Sequence, residues 1–160
     1  MNPCDRQLFK FTLGSLFVGV TCAWLLFVTG CRAPHNDPPL FTFSSPIELR
    51  IASELHKRDI GGKLYRATNT HSMEPLIMGG DVIVIDTRSA FTKALLGFPV
   101  TYRAAWQPAP AAPVTHRLVA WDASGAIAEG DNVSGNTNEN KSRVTAKNYI
   151  GVVVGIYRMR

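Results

Sequence analysis

Apolar positions follow three different patterns along this chain. From Phe11 to Gly30 the sequence reads FTLGSLFVGVTCAWLLFVTG, 20 residues with no charge and no polar stripe. A helix rising about 1.5 Å per residue would just cross a hydrocarbon layer about 30 Å thick, and a helix on a soluble core would show a polar face. Arg6 and Lys10 precede this run and Arg32 follows it. The excess of positive charge ahead of the run predicts a cytoplasmic N-terminus over residues 1–10, a membrane span over 11–30, and the rest of the chain outside.

A second reading of the same run stays open. VTGC, residues 28–31, fits the processing pattern of a lipoprotein signal, which would make Cys31 a lipidated N-terminus. The run is long for the apolar part of a cleaved signal, usually about 7–15 residues, which favours the retained span. Either route delivers the remaining chain to the outer face of a membrane, so membrane lipid is an expected partner.

The second pattern is helical. Residues 31–44, ending in APHNDPPLFTFS with three prolines, read as an extended linker. Next, SPIELRIASELHKRDIGG opens with Ser45 at an N-cap, Pro46 at the first helical position and Glu48 completing a capping box. Ile47, Ile51 and Leu55 recur every four residues on one face, and Gly61 and Gly62 end the helix. That apolar face could pack on the domain or lie on a bilayer; the sequence leaves both open.

From Lys63 onward the period falls to that of strands. KLYRAT, DVIVID, FPVTYRA, VTHRLVAW, AIAEGD and YIGVVVGIY give about six short strands with turns between them. In VTHRLVAW, the alternation places Val114, His116, Leu118 and Ala120 on one face. QPAPAAP is a loop that no central strand would tolerate, and NVSGNTNENKS reads as a polar loop. The expected fold is mainly β, preceded by one short amphipathic helix and an N-terminal span.

Charge and cysteine content narrow the chemistry. The net charge is +5 for the whole chain, and 14 Lys and Arg face 11 Asp and Glu beyond Arg32. No basic run or basic–aromatic interleaving is present, which argues against a nucleic-acid partner. The three cysteines, Cys4, Cys22 and Cys31, all precede the folded part. Disulfides, thiolate catalysis and cysteine-based zinc sites are therefore excluded there.

One loop stands out: THSMEPLIMGG, between KLYRAT and DVIVID. Serine becomes a nucleophile only beside a base. The adjacent His71 points to the other side of an extended chain, so the base must come from elsewhere. His116, on a face otherwise made of Val114 and Leu118, is one candidate. A lysine is the other chemical option, yet none lies between Lys93 and Lys141. Taken alone, Ser72 is an ordinary turn serine and His116 an ordinary core histidine.

Together these segments resemble the type I signal peptidases. SMEPLIMGGDVIVI is similar to the nucleophile segment of that family: Ser-Met-x-Pro, a short spacer, Gly-Asp, then an aliphatic strand. VTHRLVAW followed by AIAEGDN is similar to the second half of the family's site. The likeness covers about residues 63–157, behind an N-terminal span in the family's usual order. His116–Arg117 matches the Ser/His branch (archaeal, endoplasmic-reticulum and sporulation-type) rather than the Ser/Lys branch.

The resemblance implies a small, partly closed β-sheet peptidase domain over residues 45–160. It implies a serine endopeptidase acting on exported precursor proteins, single-pass in the cell membrane with its site on the extracytoplasmic side. Ser72 would be the nucleophile, His116 the general base and Asp131 the acid orienting the imidazole. The Ser72 N–H and the Thr70 hydroxyl would form the oxyanion hole. Met73 and Pro75 would be structural, and Asp81 part of a turn. No metal or other cofactor is implied. A second acid that the family carries after GDN is replaced by Asn136 and Thr137, with Glu139 nearest, which leaves a Ser/His dyad open. The rival reading is a lipidated, non-catalytic cell-envelope binding protein that keeps the fold.

Overall fold

A computed structural model describes residues 35–104, 112–132 and 141–160. The apolar run at 11–30, Cys31, Asn136, Thr137 and Glu139 lie outside the described residues. Among those described, no helix is long and apolar enough to cross a membrane.

Eight strands and one α-helix build the domain: β1 (Leu40–Phe43), α1 (Pro46–Ile60), β2 (Lys63–Arg66), β3 (Val82–Asp86), β4 (Pro99–Tyr102), β5 (Val114–Asp122), β6 (Gly125–Glu129), β7 (Lys141–Val144) and β8 (Tyr149–Met159). The sheet runs β2-β3-β8-β4-β5-β6-β7, antiparallel throughout, and β1 adds to β8 in parallel. The expected mainly β fold with one preceding helix is what forms.

The 11-residue β8 is the spine of the sheet. β3 pairs along one side of it. On the other side β4 pairs with Tyr149–Val152 and β1 with Ile156–Met159. β3 is buried on both faces, which is why VIVID does not alternate. Val84 lies beneath α1 with Leu49 and Tyr157, whereas Ile83 and Ile85 pack against Met73 and Ile77 of the serine loop. A larger core of Val100, Tyr102, Leu118, Ala126, Ala128 and Val144 fills the β4–β7 half.

Three expectations change. β1 falls in the stretch read as linker: Phe41 and Phe43 stack on Tyr157, at 5.0 and 5.9 Å between ring centroids, so the fold starts well before Ser45. β7 begins in the last two residues of the stretch read as polar loop; Ser142 and Val144 turn inward while Lys141 and Arg143 face out. In β5 a bulge between Leu118 and Ala120 resets the alternation, leaving Ala120 exposed and turning Trp121 toward the core.

Helix α1 begins and ends as its sequence directs. Ser45 is extended (φ −120°, ψ 127°) and its hydroxyl accepts from the Glu48 N–H. Gly61 closes the helix at φ 62°, the left-handed region that glycine enters without penalty. The buried face, however, is Leu49 and Ser53, flanked by Ala52, His56 and Ile60. Ala52 and Ser53 are small enough to bring the helix close to the sheet, and His56 Nδ1 lies 2.7 Å from the Tyr157 hydroxyl. The more apolar stripe, Ile47, Ile51 and Leu55, is 63, 53 and 52% exposed.

Truncation should separate these two faces. Leu49→Ala is expected to cost about 2–4 kcal/mol, as for a buried leucine, and Ile51→Ser less than about 0.5 kcal/mol. Urea unfolding of the two variants measures both.

Candidate active site

The serine loop joins β2 to β3 and folds back over the sheet. Its shape is set from within by apolar packing: Met73 and Ile77 are 4 and 6% exposed and sit on Ile83 and Ile85. The Ile77 N–H donates to the Met73 carbonyl at 2.9 Å, a single helical turn after the serine. At its exit Asp81 is buried, takes the Met78 N–H at 2.8 Å and receives Arg158 Nη2 at 2.7 Å. Arg158 Nη2 also donates to the carbonyls of Leu76 and Pro75. Asp81 thus holds the turn, and Pro75 lies in the same clasp.

At the entrance His71 adopts φ 57°, a left-handed conformation unusual for a side chain with a Cβ. Backbone strain of this kind collects at functional sites. The His71 ring is exposed and turned to Glu74, 2.8 Å from Oε1, so it does not serve Ser72.

The partner of Ser72 comes from β5. His116 Nε2 lies 3.2 Å from Ser72 Oγ, across 44 residues of sequence. Thr70 Oγ1 lies 3.3 Å from the same oxygen. The Ser72 N–H donates to no protein acceptor among the described residues, which leaves it available to a ligand. An imidazole nitrogen and a second hydroxyl therefore meet around the Ser72 hydroxyl oxygen. Ser72 and Thr70 line a cleft of about 190 Å³ whose walls also include Tyr65, Met73, Ile77, Ile83 and Val114.

His116 is 4% exposed. Burial pushes its pKa down to about 4 from an ordinary 6.5, and the negative charge of Asp131 opposes that shift. At neutral pH the ring is therefore uncharged and holds a lone pair for the serine proton, as a general base requires.

The resemblance gives Asp131 a hydrogen bond to the imidazole; the structure places it differently. Both its carboxylate oxygens lie on Arg117, 2.7 Å from Nε and 2.6 Å from Nη2. The group facing His116 Nδ1 is the Tyr102 hydroxyl, at 3.1 Å. The physical reason is strand geometry: Arg117 follows His116, so its side chain leaves the opposite face of β5 and draws Asp131 with it. Asp131 acts on the ring through space, as a charge favouring the protonated form.

Arg117 is 2% exposed, and each of its three guanidinium nitrogens donates to an acceptor. Nη1 donates to the Gly97 carbonyl at 2.6 Å and Nη2 also to Asp37 at 2.7 Å. The GDN segment after β6 carries a second function. Asn132 N–H donates to the Ser72 carbonyl at 3.0 Å. A Cβ on Gly130 would fall 2.5 Å from that same carbonyl, so only glycine permits the approach. The motif read as supplying an acid thus also holds the nucleophile's backbone in place.

Sequence reasoning did not find Tyr102 or Ser142. Tyr102 hydrogen-bonds Ser142 as well as facing His116. The one signal was period two: Tyr102 shares a face with Val100, and Ser142 with Val144. No three His, Cys, Asp or Glu side chains converge into a metal site among the described residues. Comparisons of the chain with protein-family models, with curated proteins and with solved structures find no match.

Removing the Asp131 charge is expected to act on folding. Asp131→Asn should cost about 3 kcal/mol in urea unfolding, the low end for a broken buried pair, since Asp37 and Gly97 still serve Arg117. A loss below about 1 kcal/mol would show that the pair does not hold the domain together.

Proposed function

We infer that this protein is a membrane-anchored serine endopeptidase that removes signal or leader segments from exported proteins, with a partly closed β-sheet domain of the signal peptidase-like type. The observation that carries the reading is the 3.2 Å approach of His116 Nε2 to Ser72 Oγ. A turn serine and a core histidine have no packing reason to meet. The Ser72 N–H, without a protein acceptor among the described residues, the neutral ring and the left-handed His71 backbone add support.

A precursor would lie extended in the cleft, adding its backbone beside the β2 edge. Ser72 Oγ attacks the scissile carbonyl carbon while its proton passes to His116 Nε2. The oxyanion is held by the Ser72 N–H and the Thr70 hydroxyl. The protonated ring then gives its proton to the departing amine, leaving an acyl ester on Ser72. Water, deprotonated by the same nitrogen, releases the new C-terminus and restores the serine. The limited cleft favours small residues next to the scissile bond. Anchoring beside the export route raises the effective concentration of substrate.

Full-length protein in proteoliposomes, offered a panel of exported precursors, tests the reading by gel shift and N-terminal sequencing of products. Ser72→Ala and His116→Ala should each lower cleavage by at least about 10³-fold, and the double variant should be no worse than either alone. Processing at the wild-type rate in both variants would overturn the Ser72–His116 mechanism, and no cleavage of any precursor by the wild type would favour the non-catalytic binding protein.

The rate should also report the buried base. kcat/KM is expected to stay level from pH 8 down past 6 and to fall only near pH 4, where His116 takes up a proton. An acid limb near 6.5 would mean that the working base is a solvated histidine.

A further inference from the structure

Resting on that reading, one requirement of the chemistry remains unmet by Ser72 and His116 alone. A neutral imidazole has one N–H, and it can accept the serine proton at Nε2 only if the hydrogen is on Nδ1. Something must hold it there. Among the described residues no carboxylate does so, because Asp131 is committed to Arg117.

We propose that Tyr102 and Ser142 are positioning residues that fix the tautomer of His116: Nδ1–H donates to the Tyr102 oxygen, and the Tyr102 hydroxyl donates to Ser142. The geometry is in place. Tyr102 Oη lies 3.1 Å from Nδ1, and the two rings meet edge-on at 60°. Tyr102 also hydrogen-bonds Ser142, and burial holds its hydroxyl up to about 12, so that it stays protonated.

The three residues reach one another from different strands. Tyr102 is on β4, His116 on β5 and Ser142 on β7, all on the same side of the sheet. In a flat sheet β4 and β7 would stand roughly 14 Å apart, more than a tyrosine and a serine can bridge. The contact therefore requires this half of the sheet to curl. Between them lie Ala126 and Ala128, fully buried and small, which leaves room for the tyrosine ring. Tyr102, His116 and Ser142 are 0, 4 and 8% exposed, so water does not compete for these bonds.

The direction of the chain matters as much as its existence. With Ser142 accepting, the tyrosine oxygen is free to accept from Nδ1. Without that acceptor, the buried hydroxyl turns its hydrogen toward Nδ1, the ring becomes Nε2–H, and Nε2 can no longer take the serine proton.

Two readouts test this on the full-length protein. The first is the tautomer of His116, from ¹⁵N shifts of histidine-labelled protein assigned with His116→Gln. The second is kcat on whichever exported precursor the wild type cleaves. Wild type should carry its hydrogen on Nδ1. Ser142→Ala should move it to Nε2 and lower kcat at least about 10-fold with KM little changed, the signature of a base in the wrong tautomer. Tyr102→Phe, which keeps the ring, should also lower kcat, and Tyr102→Phe/Ser142→Ala should be no worse than Tyr102→Phe, since no hydroxyl remains to be misdirected. An Nε2–H ring in the wild type, an unchanged tautomer in Ser142→Ala, or losses that multiply in the double variant would overturn the proposal. The peptidase reading fails separately: the expected tautomer with no precursor cleaved keeps the relay geometry and rejects the enzyme.

Discussion

A single guanidinium organises the domain. Arg117 is taken almost wholly out of water, which is tolerable only because each guanidinium nitrogen donates to an acceptor and two carboxylates balance its charge: Asp131 twice, Asp37 and the Gly97 carbonyl. Those acceptors come from three distant stretches: the segment before β1, the turn before β4 and the turn after β6. Closing on one side chain ties them together. Because neighbours on a strand face opposite ways, fixing Arg117 on one face of β5 also fixes His116 on the other. The same contact sets the GDN turn, whose Gly130 and Asn132 lie against the Ser72 carbonyl. A second pair, Arg158 with Asp81, anchors the far end of the serine loop. Ser72 is thus bracketed by two Arg–Asp pairs, neither of which touches its hydroxyl.

This division of labour explains the electrostatics of the site. The charged groups are spent on holding backbone, and the groups proposed to react, Ser72 and His116, are left neutral. His116 is pushed down by burial, with Asp131 near enough to favour the imidazolium without bonding to it. Where an acid would accept from Nδ1, the structure places the uncharged Tyr102 hydroxyl.

Much of this was legible in the sequence. The caps of α1, the strand period and the serine loop follow from residue type and spacing, and the choice of His116 as the partner of Ser72 followed from the resemblance. What was not legible depends on contacts between distant elements. The stripe Ile47, Ile51 and Leu55 left open in the sequence whether it packs on the domain or lies on a bilayer; small Ala52 and Ser53 allow the closer approach, and theirs is the face the domain buries. β1 and β7 are four residues each, and their pairing with β8 and β6 is what makes them strands. Asp131 reads as the acid beside the base because both follow the motif order. Only the strand's alternation, carried through to three dimensions, sends it to Arg117. Tyr102 and Ser142 carry no motif at all.

The central claim is that Ser72 Oγ attacks and His116 takes its proton. Its most direct test is intact-mass and peptide mapping of the full-length protein quenched early in reaction with an activated peptide ester bearing a small residue at its acyl end. The expected result is one acyl group on Ser72 that accumulates in a burst, turns over, and is absent from His116→Ala. Acylation elsewhere with Ser72 untouched, or equal labelling of Ser72 without His116, would contradict it.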